Sequence, residues 1–149
     1  MDKFTYIISS LDDVNGHTDR ADNCNIRINS LPSKYNLFKV KVCSFIINTG
    51  SLDSTFKSLS YIHLVADNFI SQNQLISGNR IPNVLAIVNT SSDGQITTVN
   101  NTFIVKNING YVVNFRLLDD GFNSIDTAIN KTGVDTAWTL ILEFEGLTE

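Results

Sequence analysis

The sequence predicts an all-β protein: antiparallel strands in a two-sheet sandwich, with little helix. Three observations predict it. Apolar residues recur with period two far more often than with period 3.6, the pattern of half-buried strands. Good helix formers are scarce, since Glu occurs only 3 times, all in the last seven residues. Asn (18 copies), Ser (14) and Thr (13) are abundant, and these residues favour turns and strands.

Eight strands are expected. The first is Lys3 to Ser10, with Phe4, Tyr6 and Ile8 on one face. The second is Asn23 to Ser30, where Cys24, Ile26 and Ile28 alternate with Asn25, Arg27 and Asn29. The third, Leu37 to Asn48, opens with Phe38, Val40 and Val42 inward and Lys39 and Lys41 outward. Its phase then changes, because Ile46 is as apolar as Phe45 and Ile47; a β-bulge or a second covering layer would do this. The fourth, Leu59 to Asp67, puts Tyr61, His63 and Val65 opposite Ile62, Leu64 and Ala66. Both faces are apolar, so a central position is expected. The fifth is the apolar run Asn83 to Asn89, and the sixth ends in Phe103 and Val105.

The seventh lies within "NINGYVVNFRLLDDG", Asn107 to Gly121, between an Asn-Gly and an Asp-Asp-Gly turn signal. Val113, Phe115 and Leu117 face one way; Val112, Asn114, Arg116 and Leu118 face the other. The eighth is Ala137 to Glu145, with Trp138, Leu140, Leu142 and Phe144 on one face. Three longer loops join them: Leu11 to Asp22, Asn68 to Pro82, and Asp119 to Thr136. The last has room for one helical turn, with Ile125 and Ile129 four apart. Pro32 and Pro82 fall at strand edges, where a missing N–H does least harm. Eight antiparallel strands admit a jelly roll or an up-and-down barrel. The uneven, long connections favour the eight-stranded two-sheet jelly roll, as a single domain over residues 1–149.

The chain has 149 residues, 42% hydrophobic and 17% charged, which suits one globular core without staples. A net charge of −4 lacks the basic footprint of a nucleic-acid binder. Lys34, Lys39, Lys41 and Lys57 form a loose basic segment that reads as a solvated strand face. No apolar run approaches 18 residues, so no membrane span is expected. "MDKFTYIISS" lacks a charged-then-apolar leader, so no signal peptide is expected. Cys24 and Cys43 show no metal-binding spacing and read as two free, half-buried thiols in a reducing compartment. The sequons at Asn89, Asn100 and Asn130 are what an Asn-rich chain makes by chance.

Candidate chemistry is thin. "HTD", His17 to Asp19, with the later His63, matches the H-x-D…H order of a two-His, one-carboxylate iron site. Against this, His17 follows Asn15-Gly16 in a loop, and His63 alone reads as a strand histidine bonded at an edge or interface. Asp12-Asp13 and Asp119-Asp120 lack the calcium-loop spacing and read as turn residues. No nucleophile elbow or phosphate-cradling glycine loop appears. The expectation is therefore no catalytic residue, no metal site and no cofactor. Arg116 reads as an outward or inter-subunit residue of the seventh strand, and Asp119-Asp120-Gly121 as its end. Tyr35, Phe56, Phe69, Tyr111 and Phe122 lie in or near the predicted loops. They could form the aromatic platform of a carbohydrate- or receptor-binding module, or cap the core.

The order of "FTYIISS", "NIRINSLPSKYNLFKVKVCSFIINTG", "LSYIHLVAD", "VNFRLLDDG" and a terminal apolar strand resembles the small single jelly-roll capsid proteins of large icosahedral double-stranded DNA viruses and their virophages. These include pentons, which close five-fold vertices, and minor capsid proteins beneath or between the major capsomers. The resemblance spans the chain in strand order. It implies a structural virion protein, not an enzyme, made in the host cytoplasm and located in the capsid. It implies self-association, as a homopentamer, and contacts with the major capsid protein and neighbouring minor capsid proteins. The family has no catalytic residues to carry over. The bare jelly roll, without an inserted domain, fits the penton role better than an extended cement protein.

Overall fold

The computed structural model describes residues 2–16, 22–47, 61–71, 76–78, 83–89, 96–98, 102–119, 121–124 and 137–147. Among the described residues there are ten strands: β1 (Lys3–Ser9), β2 (Asn23–Arg27), β3 (Leu37–Ile47), β4 (Tyr61–Ala66), β5 (Ile70–Ser71), β6 (Val84–Asn89), β7 (Ile96–Thr98), β8 (Thr102–Lys106), β9 (Val112–Leu118) and β10 (Trp138–Gly146). One 3-10 turn, Ser10–Asp12, follows β1, and the Ser9 side chain accepts from the Leu11 N–H to cap it. That cap ends the first strand one residue before the expected Ser10.

Two antiparallel five-stranded sheets face each other. The first runs β1-β10-β3-β8-β5 and the second β2-β9-β4-β6-β7. Consecutive strands repeatedly lie in opposite sheets, which is jelly-roll winding. The eight expected strands are β1, β2, β3, β4, β6, β8, β9 and β10. Among the described residues two further strands join these eight, β5 and β7, whose two and three residues are too few to show alternation. The segment with Ile125 and Ile129 lies outside the described residues.

The phase change in the third strand is a β-bulge. Ile141 of β10 stands opposite Ser44 and Leu142 opposite Val42, so Cys43 is the extra residue. The bulge turns Phe45 and Ile47 inward and leaves Ile46 exposed. β4 is central in its sheet, as its two apolar faces required. The core between the sheets is aromatic: Phe38, Phe45, Phe69, Phe103, Phe115, Trp138 and Phe144 are all fully buried. A second small cluster lies on the outer face of the second sheet, where Val65, Val84 and Leu118 pack with Ile76, Ile87 and Phe122. Among the described residues no helix is long and apolar enough to cross a membrane.

Candidate functional site

The seventh-strand question resolves first. Val113, Phe115 and Leu117 are buried inward, and Arg116 lies on the outer face of β9, between Asn23 of β2 and Val65 of β4. Its Nη2 stands 4.0 Å from Asp67 Oδ1, both side chains substantially exposed, so the pair adds little stability. Its Nε is buried with no hydrogen-bond partner. Asn114 beside it donates through Nδ2 to Asn23 Oδ1 (2.6 Å) and Asn25 Oδ1 (3.1 Å). Asp119 does terminate the strand: its Oδ1 accepts from the Gly121 and Asn123 N–H groups. Asp120 lies outside the described residues.

The metal reading gains nothing. His17 and Asp19 lie outside the described residues, and among those described no group of three or more His, Cys, Asp or Glu could hold an ion. His63 is a hydrogen-bonded strand residue, as read from the sequence, but it lies in central β4 and not at a sheet edge. Its Nδ1 lies 3.1 Å from the Asp119 carbonyl, which only accepts, so Nδ1 carries the proton. Its ring stacks on Phe122 at 4.5 Å. Asp13 is buried and accepts from the Asn15 and Asn25 N–H groups, which pins the first loop to β2.

The basic segment is dispersed. Lys39 and Lys41 sit opposite Glu145 and Glu143 on the outer face of the first sheet, and Lys3 lies 3.8 Å from Glu143. Lys34 pairs with Asp2 at 3.0 Å, while Lys57 lies outside the described residues. Asp2 also accepts a 2.6 Å hydrogen bond from the Tyr35 hydroxyl. That bond, then Lys34, holds the Asp2 carboxyl below its ordinary range. The same carboxylate raises both Tyr35 and Lys34. The trio latches the start of the chain to the β2–β3 connection.

The aromatic candidates do not converge into a platform. Phe69 is 0% exposed, packed among Phe103, Phe115 and Phe144. Tyr35 packs edge-on against Phe38, and Phe122 covers His63. Tyr111 is exposed, and Phe56 lies outside the described residues. The cysteines are not joined in a disulfide with each other and are unlike: Cys24 is buried and Cys43 exposed, rather than both half-buried.

Exposed aliphatic side chains include Ile46 on central β3 and Val112 on β9, and several lie at the sandwich's flanks. At the β1 edge, Ile7 (64% exposed), Leu11 and Val14 stand beside a groove of about 410 Å³, lined by Phe4 to Ile7 and Asn29 to Pro32. The groove's far wall is fixed. The Tyr6 hydroxyl donates to the Asn29 carbonyl and accepts from its N–H, both at 3.0 Å. The Asn109 amide holds Leu31 in the same two-way manner. At the β5 edge, Ile70 (49% exposed) and Tyr111 flank a second groove of about 560 Å³, with Ile104 and Lys106.

The β1 edge is also open along its main chain. Gly146 N–H bonds the Asp2 carbonyl, one step beyond the Lys3–Glu145 pair. Hydrogen-bonded pairs alternate along an antiparallel ladder, so Phe4, Tyr6 and Ile8 bond to β10. Thr5 and Ile7 therefore turn their N–H and C=O groups toward the open side. No bond from a described residue meets them there. The phase of the first strand held this signal, since placing Phe4, Tyr6 and Ile8 inward puts Ile7 outward. The β5 edge gave no such signal, being only two residues long. No protein-family model matches the chain, and no curated protein matches it.

Proposed function

We propose that this protein is a structural virion protein: a single jelly-roll capsid unit that forms the five-fold vertex of an icosahedral shell. It does so by side-by-side self-association and by contacts with the major capsid protein. The observation that carries the reading is the pair of unlike apolar patches on opposite flanks, Ile7 with Leu11 and Val14 at one edge and Ile70 with Tyr111 at the other. Unlike patches on opposite sides suit a head-to-tail contact, and such contacts close into rings when the rotation permits. Closing the ring also covers strand edges that otherwise invite aggregation. On this reading the work is geometric, no residue is catalytic, and the protein resides in the capsid. A minor capsid position away from the vertex uses the same flanks.

The test is light scattering with negative-stain imaging of the purified chain. A five-fold ring of about 80 kDa, five copies of the 16.5 kDa chain, is the expected result. A monomer at every concentration, with no recruitment to shells of the major capsid protein, refutes it. A second reading has one observation behind it. The amide row Asn23, Asn114 and Asn25, beside Arg116 and Asp67, sets donors and acceptors side by side on an open sheet face. Such a face suits a glycan's hydroxyls, and a trimer that binds glycans would favour this receptor-binding reading.

A further inference from the structure

We propose that the first sheet continues from one copy to the next, the open edge of β1 lying against β5 of its neighbour, with Ile7 beside the neighbour's Ile70. This rests on the ring reading and names its seam. Three observations converge on it. First, β1 and β5 are the two outermost strands of the same sheet, on opposite flanks. A head-to-tail neighbour brings one to the other without changing sheets. Second, among the described residues nothing bonds the main-chain groups that Thr5 and Ile7 turn to that side, and an added strand is what such an edge accepts. Third, the exposed side chains agree in face. Ile7 stands opposite Ile141 on the outer face of the first sheet. Ile70 stands opposite Ile104, whose other neighbour is Lys39, again on the outer face. Continuing the sheet therefore sets two exposed isoleucines side by side as a cross-strand pair, the contact that stabilises adjacent strands.

The occupant is a second copy. Its β5 closes the other flank of the same five-stranded sheet and carries an exposed isoleucine on the same outer face as Ile7. Leu11 and Val14 rim the β1 side, so the neighbour's groove beside Ile70 and Tyr111 meets apolar surface.

The pairing parity supplies the test. Ile7→Pro removes an N–H that faces the open edge and leaves the bonds to β10 intact, and proline is tolerated at edge positions of this kind. Ile70→Lys charges the other side of the seam. Ile46→Lys changes an exposed apolar residue of β3, the middle strand of the first sheet, away from both edges. Mass is measured for the full-length wild type and each variant, with circular dichroism to establish folding. The wild type and Ile46→Lys are expected near 80 kDa, and Ile7→Pro and Ile70→Lys at 16.5 kDa with unchanged β signal. If Ile7→Pro loses its β signal, Ile70→Lys decides alone. A ring that survives Ile70→Lys overturns the seam and leaves the ring standing. A wild type that never leaves 16.5 kDa overturns the ring itself, so the two failures are distinct. A wild-type dimer abolished by Ile7→Pro but kept by Ile70→Lys means that β1 pairs with β1, which also overturns the seam.

Discussion

Phe69→Ala should be among the most damaging single changes in this protein, although Phe69 belongs to no strand. It follows the Asp67–Asn68 turn, in which Asn68 has a φ of 69°. That left-handed residue swings the chain from β4 in one sheet toward β5 in the other. Phe69 is carried through the space between the sheets. Its ring lies 6.3 Å from Phe103, 6.2 Å from Phe115 and 6.4 Å from Phe144, centroid to centroid. Truncating a buried phenylalanine costs about 3–5 kcal/mol in transfer and cavity terms. Three aromatic neighbours from three different strands cannot all collapse into one hole, so the loss belongs at the upper end of that range. A domain of this size has about 5–15 kcal/mol in total, so a third or more of its stability goes. The melting temperature should fall by roughly 10–15 °C. Urea unfolding followed by tryptophan fluorescence from buried Trp138 measures it, with Phe122→Ala as the comparison. A loss below about 1.5 kcal/mol, or one no larger than that of half-buried Phe122, would refute the placement of Phe69 as the central core ring.

Three further outcomes follow from local geometry. A Cβ at Gly146 would lie 2.6 Å from the Tyr35 ring. Gly146→Ala should therefore cost about 1–3 kcal/mol, and Tyr35→Ala in the same chain should recover part of it in a thermal melt. The Asp2 latch should depend on pH. The Asp2 carboxyl is held low by Tyr35 and then Lys34, so its contribution is complete above the ordinary carboxylate range and lost as pH falls through the depressed value. Tyr35 and Lys34 are raised, so their contribution persists until the pH climbs through their elevated values. A Tyr35 NMR signal that titrates on the acid side in wild type should be flat there in Asp2→Asn. Thiol titration should consume one equivalent rapidly, from exposed Cys43, and a second, from buried Cys24, only on unfolding. Two fast equivalents would contradict the burial of Cys24.

The long strands were legible because each buries one face against the other sheet, and a period of two is the direct result. In the third strand the phase change was legible, with a bulge as one of its two readings. Ile46 could not share a face with Phe45 and Ile47, and the extra Cys43 answers that conflict. β5 and β7 were not legible, since an edge strand of two or three residues leaves no period to detect. Phe69 illustrates a different limit. Beside a turn an aromatic either caps the core or joins a surface platform, and the left-handed Asn68 brings Phe69 into the core. Asparagine adopts that conformation more readily than most residues, but the sequence does not say which of the 18 asparagines do. His63 is a limit of a third kind. Its polar character suggested an edge or an interface, and the structure puts it in the middle of a sheet, against Phe122 and the Asp119 carbonyl.

The flanks were half legible, and the reason bears on function. A residue such as Ile7 breaks no local rule, because strands tolerate isoleucine on either face. What marks Ile7 is the combination of edge position, outward face and free main-chain groups, and that combination exists only once strand order is known. The outer face of the first sheet makes the contrast. In its middle, Lys39 and Lys41 stand opposite Glu145 and Glu143 at one end, while Ile46 is exposed farther along β3. On its two outermost strands the same face carries exposed Ile7 and Ile70. Solubility alone favours charge on the edges, where strand pairing between molecules begins. An exposed aliphatic residue on each edge strand is the opposite arrangement, and it suits a sheet that meets a copy of itself side by side.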